Sequence, residues 1–246
     1  MNNREAGRLA GRVAVVTGAS SGIGRAIAVG LSREHVHVCA VGRNPAALAE
    51  TVAAIRQSSE VSDFQIDLTV EGSLQPLLQF LEKLGRVDIL IHSAGIIHQD
   101  LAERADIKDF DLQFAANVRA PYVLTQRLLP LLTVARGQIV FINSSAGLTA
   151  KRPEVGQYAA TKHALRAITD SLREEVNPKG IRVLSLYLGR TATPMQEALY
   201  QQEGRVYNPE MLLQPEDVAT IVVQALLLPY TAEVTDISIR PMRRPD

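Results

Sequence analysis

The sequence has little from which a disulfide, a metal site or a nucleic-acid surface could be built. A single cysteine, Cys39, excludes an internal disulfide and fits a reducing compartment. Tryptophan is absent and aromatic residues make up 4% of the chain, so no stacking platform for single-stranded nucleic acid is expected. The 26 basic and 26 acidic residues cancel, which leaves no basic field to attract nucleic acid. The histidines show no ligand-like spacing with acids or cysteine, so no metal site is predicted.

Long apolar runs are also missing. No stretch reaches the roughly 18 apolar residues that a membrane span needs. The N-terminal residues MNNREAGRLAGR lack the apolar core of a signal peptide, and residues 1–10 are predicted to be a flexible leader. The sequence therefore predicts a cytoplasmic protein without a membrane partner.

Short apolar runs alternate with helical patterns over the whole chain. With 46% apolar residues in 246, the chain is long enough for one large domain spanning residues 1–246. Strands are predicted at residues 13–17, 36–41, 61–66, 87–92, 138–143, 182–187 and 236–239. Helical patterns cover residues 23–31, 46–57, 107–133 and 156–177, and the second follows an N-cap and first-turn proline at Asn44-Pro45. This alternation predicts an α/β Rossmann fold, a doubly wound seven-stranded parallel sheet flanked by helices.

A glycine-rich turn, TGASSGIG, lies between the first strand and the first helix. Gly18, Gly22 and Gly24 allow a tight turn and close approach of the backbone to a pyrophosphate, while free amides at the helix start face the anion. Ser20 and Ser21 can add hydroxyl donors. A glycine turn without a ligand is the alternative, but the flanking strand and helix favour nucleotide binding.

Tyr158 and Lys162 lie four residues apart, on one face of a predicted helix. A free tyrosine titrates near pH ~10, and lowering that pKa by about 3 units needs roughly 4 kcal/mol. An ammonium about 4 Å away supplies roughly that much at an effective dielectric near 20. The pair could therefore act as a general acid/base near neutral pH. Ordinary exposed helix residues are the alternative, since chance alone could nearly supply this spacing.

From about residue 11 to 241 the chain resembles the short-chain dehydrogenase/reductase family. The resemblance rests on residues 17–24, Asp67, Ala94-Gly95, Asn117, Ser145, Tyr158, Lys162 and residues 189–193, in the family's order. It implies hydride transfer between a nicotinamide cofactor and a carbonyl or alcohol substrate, with Asn117, Ser145, Tyr158 and Lys162 as catalytic residues. Ser145 would orient the substrate carbonyl, and its place thirteen residues before Tyr158 selects it over Ser144. Asn117 would hold a water linking Lys162 to solvent.

The resemblance also implies a set of cofactor-binding residues: Gly18, Ser20, Ser21, Gly22, Ile23, Gly24, Arg43, Asp67, Leu68, Ser93, Ala94, Gly95, Tyr158, Lys162, Gly189, Thr191 and Thr193. NAD-binding folds place an acid after the second strand, whereas Arg43 offers a planar fork to the 2′-phosphate of NADP. NADP(H) is therefore preferred, with NAD(H) possible and a solvated loop arginine as the alternative. Asp67 would face the adenine amine, or else form the turn before a helix starting near Thr69.

Two positions depart from the family's usual pattern. His92-Ser93-Ala94-Gly95 stands for Asn-Asn-Ala-Gly, and Leu188-Gly189 stands for Pro-Gly. Ser93 has one hydroxyl where asparagine has two amide donors, and His92 is expected to be a packed strand-end residue rather than a catalytic one. Without the proline, the start of the lid loop predicted at residues 189–213 gains freedom in φ and an N–H.

Two rival functions accompany this prediction. A sensor that binds the nucleotide without turnover would not need the acid, and an epimerase or dehydratase on this fold tends to carry a larger C-terminal substrate domain. The lid mixes apolar and charged residues, so the substrate class stays open. The resemblance implies a homodimer or homotetramer that pairs through the helices containing Asn117 and Tyr158.

Overall fold

Seven parallel strands form one sheet in the computed structural model, which describes residues 8–243. The strands are β1 (Val13–Thr17), β2 (His37–Gly42), β3 (Val61–Gln65), β4 (Ile89–His92), β5 (Gln138–Ser144), β6 (Arg182–Leu188) and β7 (Asp236–Ile239). Their order is β3-β2-β1-β4-β5-β6-β7. The fold class and all seven strands are therefore confirmed, with ends that differ from the predicted ones by at most two residues. The order reverses between β1 and β4, which opens a crevice at their carboxyl ends.

Helices cover both faces of the sheet. They are α1 (Gly22–Ser32), α2 (Pro45–Ile55), α3 (Gln75–Leu84), α4 (Ile107–Phe114), α5 (Ala120–Ala135), α6 (Gly156–Val176), α7 (Pro194–Gln202) and α8 (Pro215–Leu226). One apolar core joins the sheet to α1, α2 and α8 through residues such as Ile27, Leu48 and Val222. A second joins the other face to α3, α5 and α6 through residues such as Leu81, Leu128 and Leu172. The five inner strands, from β2 to β6 in the sheet, are buried along almost their whole length because both faces are covered, whereas the edge strands β3 and β7 are partly exposed.

The start of α3 differs from the prediction. The helix expected near Thr69 begins at Gln75. Asp67 Oδ1 accepts hydrogen bonds from the amide and hydroxyl of Thr69, and the Ser73 hydroxyl donates to the Asp67 carbonyl. These local bonds satisfy the backbone in a turn, which Gly72 completes at φ 78°.

The long helix predicted at residues 107–133 is a composite. Between α4 and α5 the chain makes one π-helical turn, Ala115–Arg119. Pro121 follows this turn in the first turn of α5, whereas Pro130 lies inside α5 without ending it. A π-turn inserts a residue into the helical repeat, often at a functional site.

Two segments predicted to be irregular are partly ordered. Residues 1–7 of the expected leader lie outside the described residues, but Leu9 is buried in the core. The segment 189–213 is not a continuous loop, because α7 and a short 3₁₀ turn, Pro209–Met211, lie within it. Thr193 caps α7 by accepting a hydrogen bond from the Gln196 amide, and Pro194 occupies its first turn. The capping pattern that predicts α2 is thus present here as well.

Candidate active site

One large cavity, of about 970 Å³, opens at the carboxyl ends of β1, β4 and β5. Every residue assigned to catalysis or cofactor binding from the sequence lines it, except Asn117. The glycine turn and Arg43 line one part of it, Ser144 and Tyr158 line another, and the segment after β6 contributes to the wall as well. A ligand in this cavity can therefore touch the glycine turn and Tyr158 at the same time.

The glycine turn is packed so tightly that side chains would not fit. A Cβ at Gly24 would lie 2.3 Å from the Gly18 carbonyl oxygen, and one at Gly18 would lie 2.9 Å from the Ala94 amide nitrogen. A Cβ at Gly42 would meet Ser20 Oγ at 1.9 Å. Ser20 Oγ is enclosed without a hydrogen-bond partner among the described residues. An unsatisfied hydroxyl beside bare backbone at a helix N-terminus fits a phosphate-bearing nucleotide.

The hydroxyl that meets Tyr158 belongs to Ser144. A side-chain hydrogen bond joins Ser144 to Tyr158. Ser144 ends β5, is half-buried, and its Oγ also accepts a hydrogen bond from the Ala146 amide at 3.1 Å. Ser145 begins a 3₁₀ turn, Ser145–Gly147, and is exposed. The structure thus places Ser144, and not Ser145, in hydrogen-bond contact with Tyr158, although both serines line the cavity.

The loop between the strand and α6 explains this arrangement. Glu154 adopts a left-handed conformation, with φ 68°, just before the helix that carries Tyr158. The conformation of this loop decides which strand residue faces Tyr158. A fixed count of thirteen residues therefore does not select the serine that contacts Tyr158.

Lys162 lies behind Tyr158 on the same face of α6. Its ammonium is 5.7 Å from the centre of the Tyr158 ring and donates to the Ile142 carbonyl at 3.2 Å. Asn143 holds this part of the helix by donating from Nδ2 to the Lys162 carbonyl at 3.2 Å. A Cβ at Gly147 would lie 2.8 Å from both Asn143 Oδ1 and the Lys162 carbonyl, so β5 and α6 approach closely here. Asn143 is a positioning residue that the sequence did not reveal.

Burial sets the protonation of this pair. It raises the pKa of Tyr158 to about 12, against a smaller lowering by the Ser144 hydrogen bond. It lowers the pKa of Lys162 to about 8. The effect of Lys162 alone led us to expect a Tyr158 pKa near neutrality. In the protein without a bound cofactor the pKa is higher, because the desolvation of the phenolate outweighs the groups that stabilise it. At neutral pH Tyr158 is a protonated phenol, ready to donate a proton.

Asn117 lies in the π-turn, behind the cavity wall. Its side chain accepts from the Ile96 amide and donates to the Ile96 carbonyl, both at 2.9 Å, and also donates to Thr161 Oγ1 at 3.1 Å. The side chain thereby joins the chain after β4 to the helix that carries Tyr158. The Asn117 carbonyl cannot accept the usual bond from four residues ahead, because Pro121 has no N–H.

Arg43 and Asp67 lie together at the glycine end. Arg43 is exposed and its side chain makes no hydrogen bond or ion pair with any residue in the range 8–243. The Thr69 hydroxyl and amide lower the pKa of Asp67, and the charge of Arg43 acts in the same direction. Asp67 thus stabilises a turn, which is the alternative role that the sequence allowed for it. Both hydrogen bonds from Thr69 go to Oδ1.

The departures at His92 and Ser93 leave the strand ends well supported. His92 stacks on Phe141 with ring centres 4.7 Å apart, and its Nε2 is 2.8 Å from Thr125 Oγ1. Burial lowers its pKa to about 3, so it is a neutral, packed residue. Thr17 Oγ1 accepts from the Ser93 and Ala94 amides and donates to the Ile91 carbonyl. Thr17 therefore joins the end of β1 to the residues at and just after the end of β4.

The segment after β6 reaches the glycine turn. A Cβ at Gly22 would lie 2.9 Å from the Thr193 methyl group, so Thr193 covers the start of α1. Thr191 is buried and its hydroxyl donates to the Gly189 carbonyl. Thr193 therefore lies where a pyrophosphate at the glycine turn would be within reach, and Thr191 lines the same cavity.

Neither a metal centre nor a membrane-spanning helix is found in the described chain. No group of three histidine, cysteine or acidic residues within residues 8–243 is arranged to hold a metal ion. None of the helices in that range is both long and apolar enough to cross a membrane.

The fold and the cavity define a nucleotide-binding α/β enzyme of the doubly wound type. The model of the short chain dehydrogenase family matches residues 12–204. An uncharacterized oxidoreductase of Staphylococcus epidermidis is 33% identical over 233 residues, covering 94% of this chain and 97% of the relative. The chain belongs to the short-chain dehydrogenase/reductase family and is an NAD(P)-dependent oxidoreductase.

Solved structures agree with this assignment. An alcohol dehydrogenase from the archaeon Thermococcus sibiricus, complexed with 5-hydroxy-NADP, has a TM-score of 0.84 at 26% identity, covering 96% of this chain and 99% of its own. A 7α-hydroxysteroid dehydrogenase complexed with NADH and 7-oxo glycochenodeoxycholic acid has a TM-score of 0.85 at 26% identity, covering 97% and 96%. These relatives bind NADP or NADH.

Proposed function

We propose that the protein is an NADP(H)-preferring reductase of carbonyl compounds, which in reverse oxidises secondary alcohols, with Tyr158 as the general acid/base. The observation that carries this proposal is the hydrogen bond between Ser144 and Tyr158 inside the cavity that the glycine turn also lines. The archaeal alcohol dehydrogenase with its NADP analogue and the steroid dehydrogenase with its 7-oxo ligand support it by likeness.

The residues divide the chemistry between them. A bound reduced nicotinamide would supply the hydride to the carbonyl carbon. Tyr158, protonated at neutral pH, would give its proton to the carbonyl oxygen, while the Ser144 hydroxyl holds that oxygen beside it. Lys162, whose pKa of about 8 keeps it largely charged at neutral pH, stabilises the phenolate that remains. The Asn117 carbonyl, free of a donor from Pro121, is available to a water that returns the proton.

Cofactor binding would use the opposite end of the cavity. Gly18, Gly22 and Gly24 expose backbone amides to the pyrophosphate, with Ser20 and Ser21 as further donors. Ile23 and the pair Ala94-Gly95 would lie against the nucleotide, and Leu68 and Asp67 against the adenine. Thr191 would meet the nicotinamide carboxamide, and Thr193 the pyrophosphate. Arg43 would pair with the 2′-phosphate.

A panel of ketones, aldehydes and secondary alcohols tests the proposal directly. Each compound is incubated with the protein and either NADPH or NADH (or the oxidised cofactors for alcohols), and the cofactor absorbance is followed. Turnover of carbonyls with NADPH at higher kcat/KM than with NADH is expected. Tight NADPH binding without turnover of any compound would favour the nucleotide sensor.

The two serines can be distinguished by a matched pair of variants. Ser144→Ala is expected to lower kcat/KM about 100-fold, because the substrate oxygen loses a preorganised donor in the reacting geometry. Ser145→Ala removes the same atom one residue later and is expected to change kcat/KM less than about threefold. Steady-state kinetics with the best carbonyl substrate checks both. A larger loss of kcat/KM in Ser145→Ala than in Ser144→Ala would instead favour Ser145, the serine that the spacing selects, as the catalytic one.

Cofactor preference depends on Arg43. Arg43→Glu is expected to raise the dissociation constant of NADPH about 100-fold, since a carboxylate repels the 2′-phosphate, and that of NADH less than about threefold. Fluorescence titration with each cofactor measures both constants. Arg56→Glu, at the other end of α2 on an exposed arginine outside the cavity, makes the same charge change as a control. Equal losses for NADPH and NADH would refute the preference.

The quaternary structure and the location in the cell stay predictions. The helices α4 and α5 expose Leu112 and Val134, with side chains that would be covered in a homodimer or homotetramer. Sedimentation of the purified protein tests the assembly. A cytoplasmic location is the expectation from the sequence alone.

A further inference from the structure

Three arginines surround one carboxylate at the end of the cavity far from Arg43. Arg190 Nη2 donates to both oxygens of Glu203, at 2.7 and 2.8 Å. Arg152 donates to the same carboxylate at 3.0 Å and Arg205 at 3.3 Å. Glu203 and Arg190 are largely buried, with side chains 14% and 15% exposed. We call these four residues the arginine cluster.

The cluster faces the cavity with positive charge. Arg152 and Arg190 line the cavity together with Lys151, whereas Glu203 and Arg205 do not. Among the described residues, the acidic group that lines the cavity is Asp67, which lies beside Arg43 at the glycine end. In addition to Lys162, the Tyr158 end is therefore walled by these three cations, without an acid in the lining.

A structural role accounts for part of this arrangement. Glu203 joins the segment after β6 to Arg152 on the loop before α6, and Arg190 and Arg205 stack on Tyr200 with guanidinium carbons 4.6 and 5.0 Å from the ring centre. Such a latch needs one arginine on each side of the carboxylate. One carboxylate neutralises one of the three guanidiniums, which leaves two uncompensated charges in the cluster and a third on Lys151.

Part of the positive charge that Glu203 does not neutralise lies at the cavity wall, where a ligand can contact it. The Arg152 side chain is 53% exposed at the cavity wall. Arg190 Nη1 is enclosed without a hydrogen-bond partner among the described residues, so the charges of the cavity wall that a ligand can reach are those of Arg152 and Lys151. Glu154 and Glu197 belong to the same two segments, but neither lines the cavity. An arginine fork matches a carboxylate or phosphate oxyanion in geometry as well as in charge.

We infer that the substrate carries an oxyanion, a carboxylate or a phosphate, remote from its carbonyl group, and that Arg152 with Lys151 binds it while Glu203 holds Arg190 in place. This inference rests on the proposed function, because the anion is bound at the end of the cavity where Tyr158 would protonate the carbonyl. Neutral ketones of the same shape would lack this interaction.

A homologous series of straight-chain oxo acids tests the inference. Each acid is compared with its methyl ester, and with an oxoalkyl phosphate of equal length, as a substrate with NADPH. For the chain length that fits, kcat/KM of an anionic member is expected to exceed that of the ester by at least about tenfold. Because all compounds use the same cofactor, the ratio cancels effects on cofactor binding. An advantage for the acid alone or the phosphate alone identifies the oxyanion.

Two variants separate recognition from the latch. Arg152→Gln is expected to reduce the ratio of anion to ester to within about twofold of unity, whereas Arg205→Gln retains it, since Arg205 contacts Glu203 but not the cavity. If both variants lower kcat/KM for anion and ester in equal proportion, the cluster is a latch only and the inference is overturned. An ester turned over as well as both anions by the unaltered protein overturns it too.

A failure of the proposed function can be distinguished from a failure of this inference by measuring binding instead of turnover. If no carbonyl compound is turned over, calorimetric titration of the NADPH-bound protein with the oxo acids and their esters decides the inference. Tighter binding of an acid, lost in Arg152→Gln, supports anion recognition, and equal binding of acid and ester refutes it.

Discussion

Replacing Tyr158 by phenylalanine is expected to lower kcat about 10³- to 10⁴-fold while leaving the dissociation constant of NADPH within about twofold. The change removes only the hydroxyl that hydrogen-bonds to Ser144, and with it the proton that the reduced oxygen needs. Phenylalanine keeps the ring beside Lys162, so the wall of the cavity is preserved. Steady-state kinetics and a fluorescence titration measure the two quantities.

A surface tyrosine provides the matched control. Tyr122 on α5 is 52% exposed and does not line the cavity, so Tyr122→Phe loses the same atom without touching the site. Both constants should stay within about twofold of the unaltered protein. Turnover retained by Tyr158→Phe would remove the general acid from the proposal. A parallel loss of NADPH affinity would instead assign Tyr158 to cofactor binding.

The sheet could be predicted from the sequence because each strand has two signals, an apolar run and a turn or helical pattern after it. The runs at Val13–Thr17 and Gln138–Ser144 are mainly apolar and buried almost throughout, as expected of strands covered on both faces, and each is followed by a turn or a helical pattern. The order of strands then places their carboxyl ends at one crevice. Even the residues predicted to bind the cofactor, far apart in sequence, therefore come together in one cavity.

Local conformation limited the rest of the prediction. Ser144 and Ser145 are adjacent hydroxyls, and only the path of the loop through Glu154 at φ 68° decides which one meets Tyr158. The π-turn around Asn117 has no signature in the spacing of apolar residues. The charge of Lys162 alone predicts a near-neutral pKa for Tyr158, whereas burial of the phenol raises that pKa to about 12. The depth of burial depends on how β5 packs against α6, which the spacing of two residues does not reveal.

The helix α7, in contrast, has a start signal in the sequence that the prediction did not use. Thr193-Pro194 repeats the cap and first-turn proline of Asn44-Pro45, and both side chains accept a hydrogen bond from the amide three residues on. The mixture of apolar and charged residues after Pro194 hid the helical pattern. The arginine cluster was hidden in the same way, since Arg152 and Glu203 are brought together only by the fold.

Replacing Gly24 by alanine is expected to raise the dissociation constant of NADPH at least about 100-fold and to lower the free energy of unfolding by about 2 kcal/mol. The new Cβ would lie 2.3 Å from the Gly18 carbonyl oxygen and 2.6 Å from its carbon, and neither backbone atom can rotate away. The turn must therefore open, which moves the amides that face the pyrophosphate. Calorimetric titration and denaturant unfolding measure the two effects.

Gly30, in the same helix, gives the control for this prediction. A Cβ there would meet only Val223 Cγ2 at 3.5 Å and Ala219 Cβ at 3.6 Å, which are ordinary contacts. Gly30→Ala should leave NADPH binding unchanged and raise the free energy of unfolding by about 0.5 kcal/mol, because alanine loses less backbone entropy in a helix. If Gly24→Ala instead binds NADPH as tightly as Gly30→Ala, the amides of the glycine turn do not hold the pyrophosphate. The cofactor would then have to be held chiefly by Arg43 and the residues after β6, and Arg43→Glu would abolish the binding of NADPH altogether.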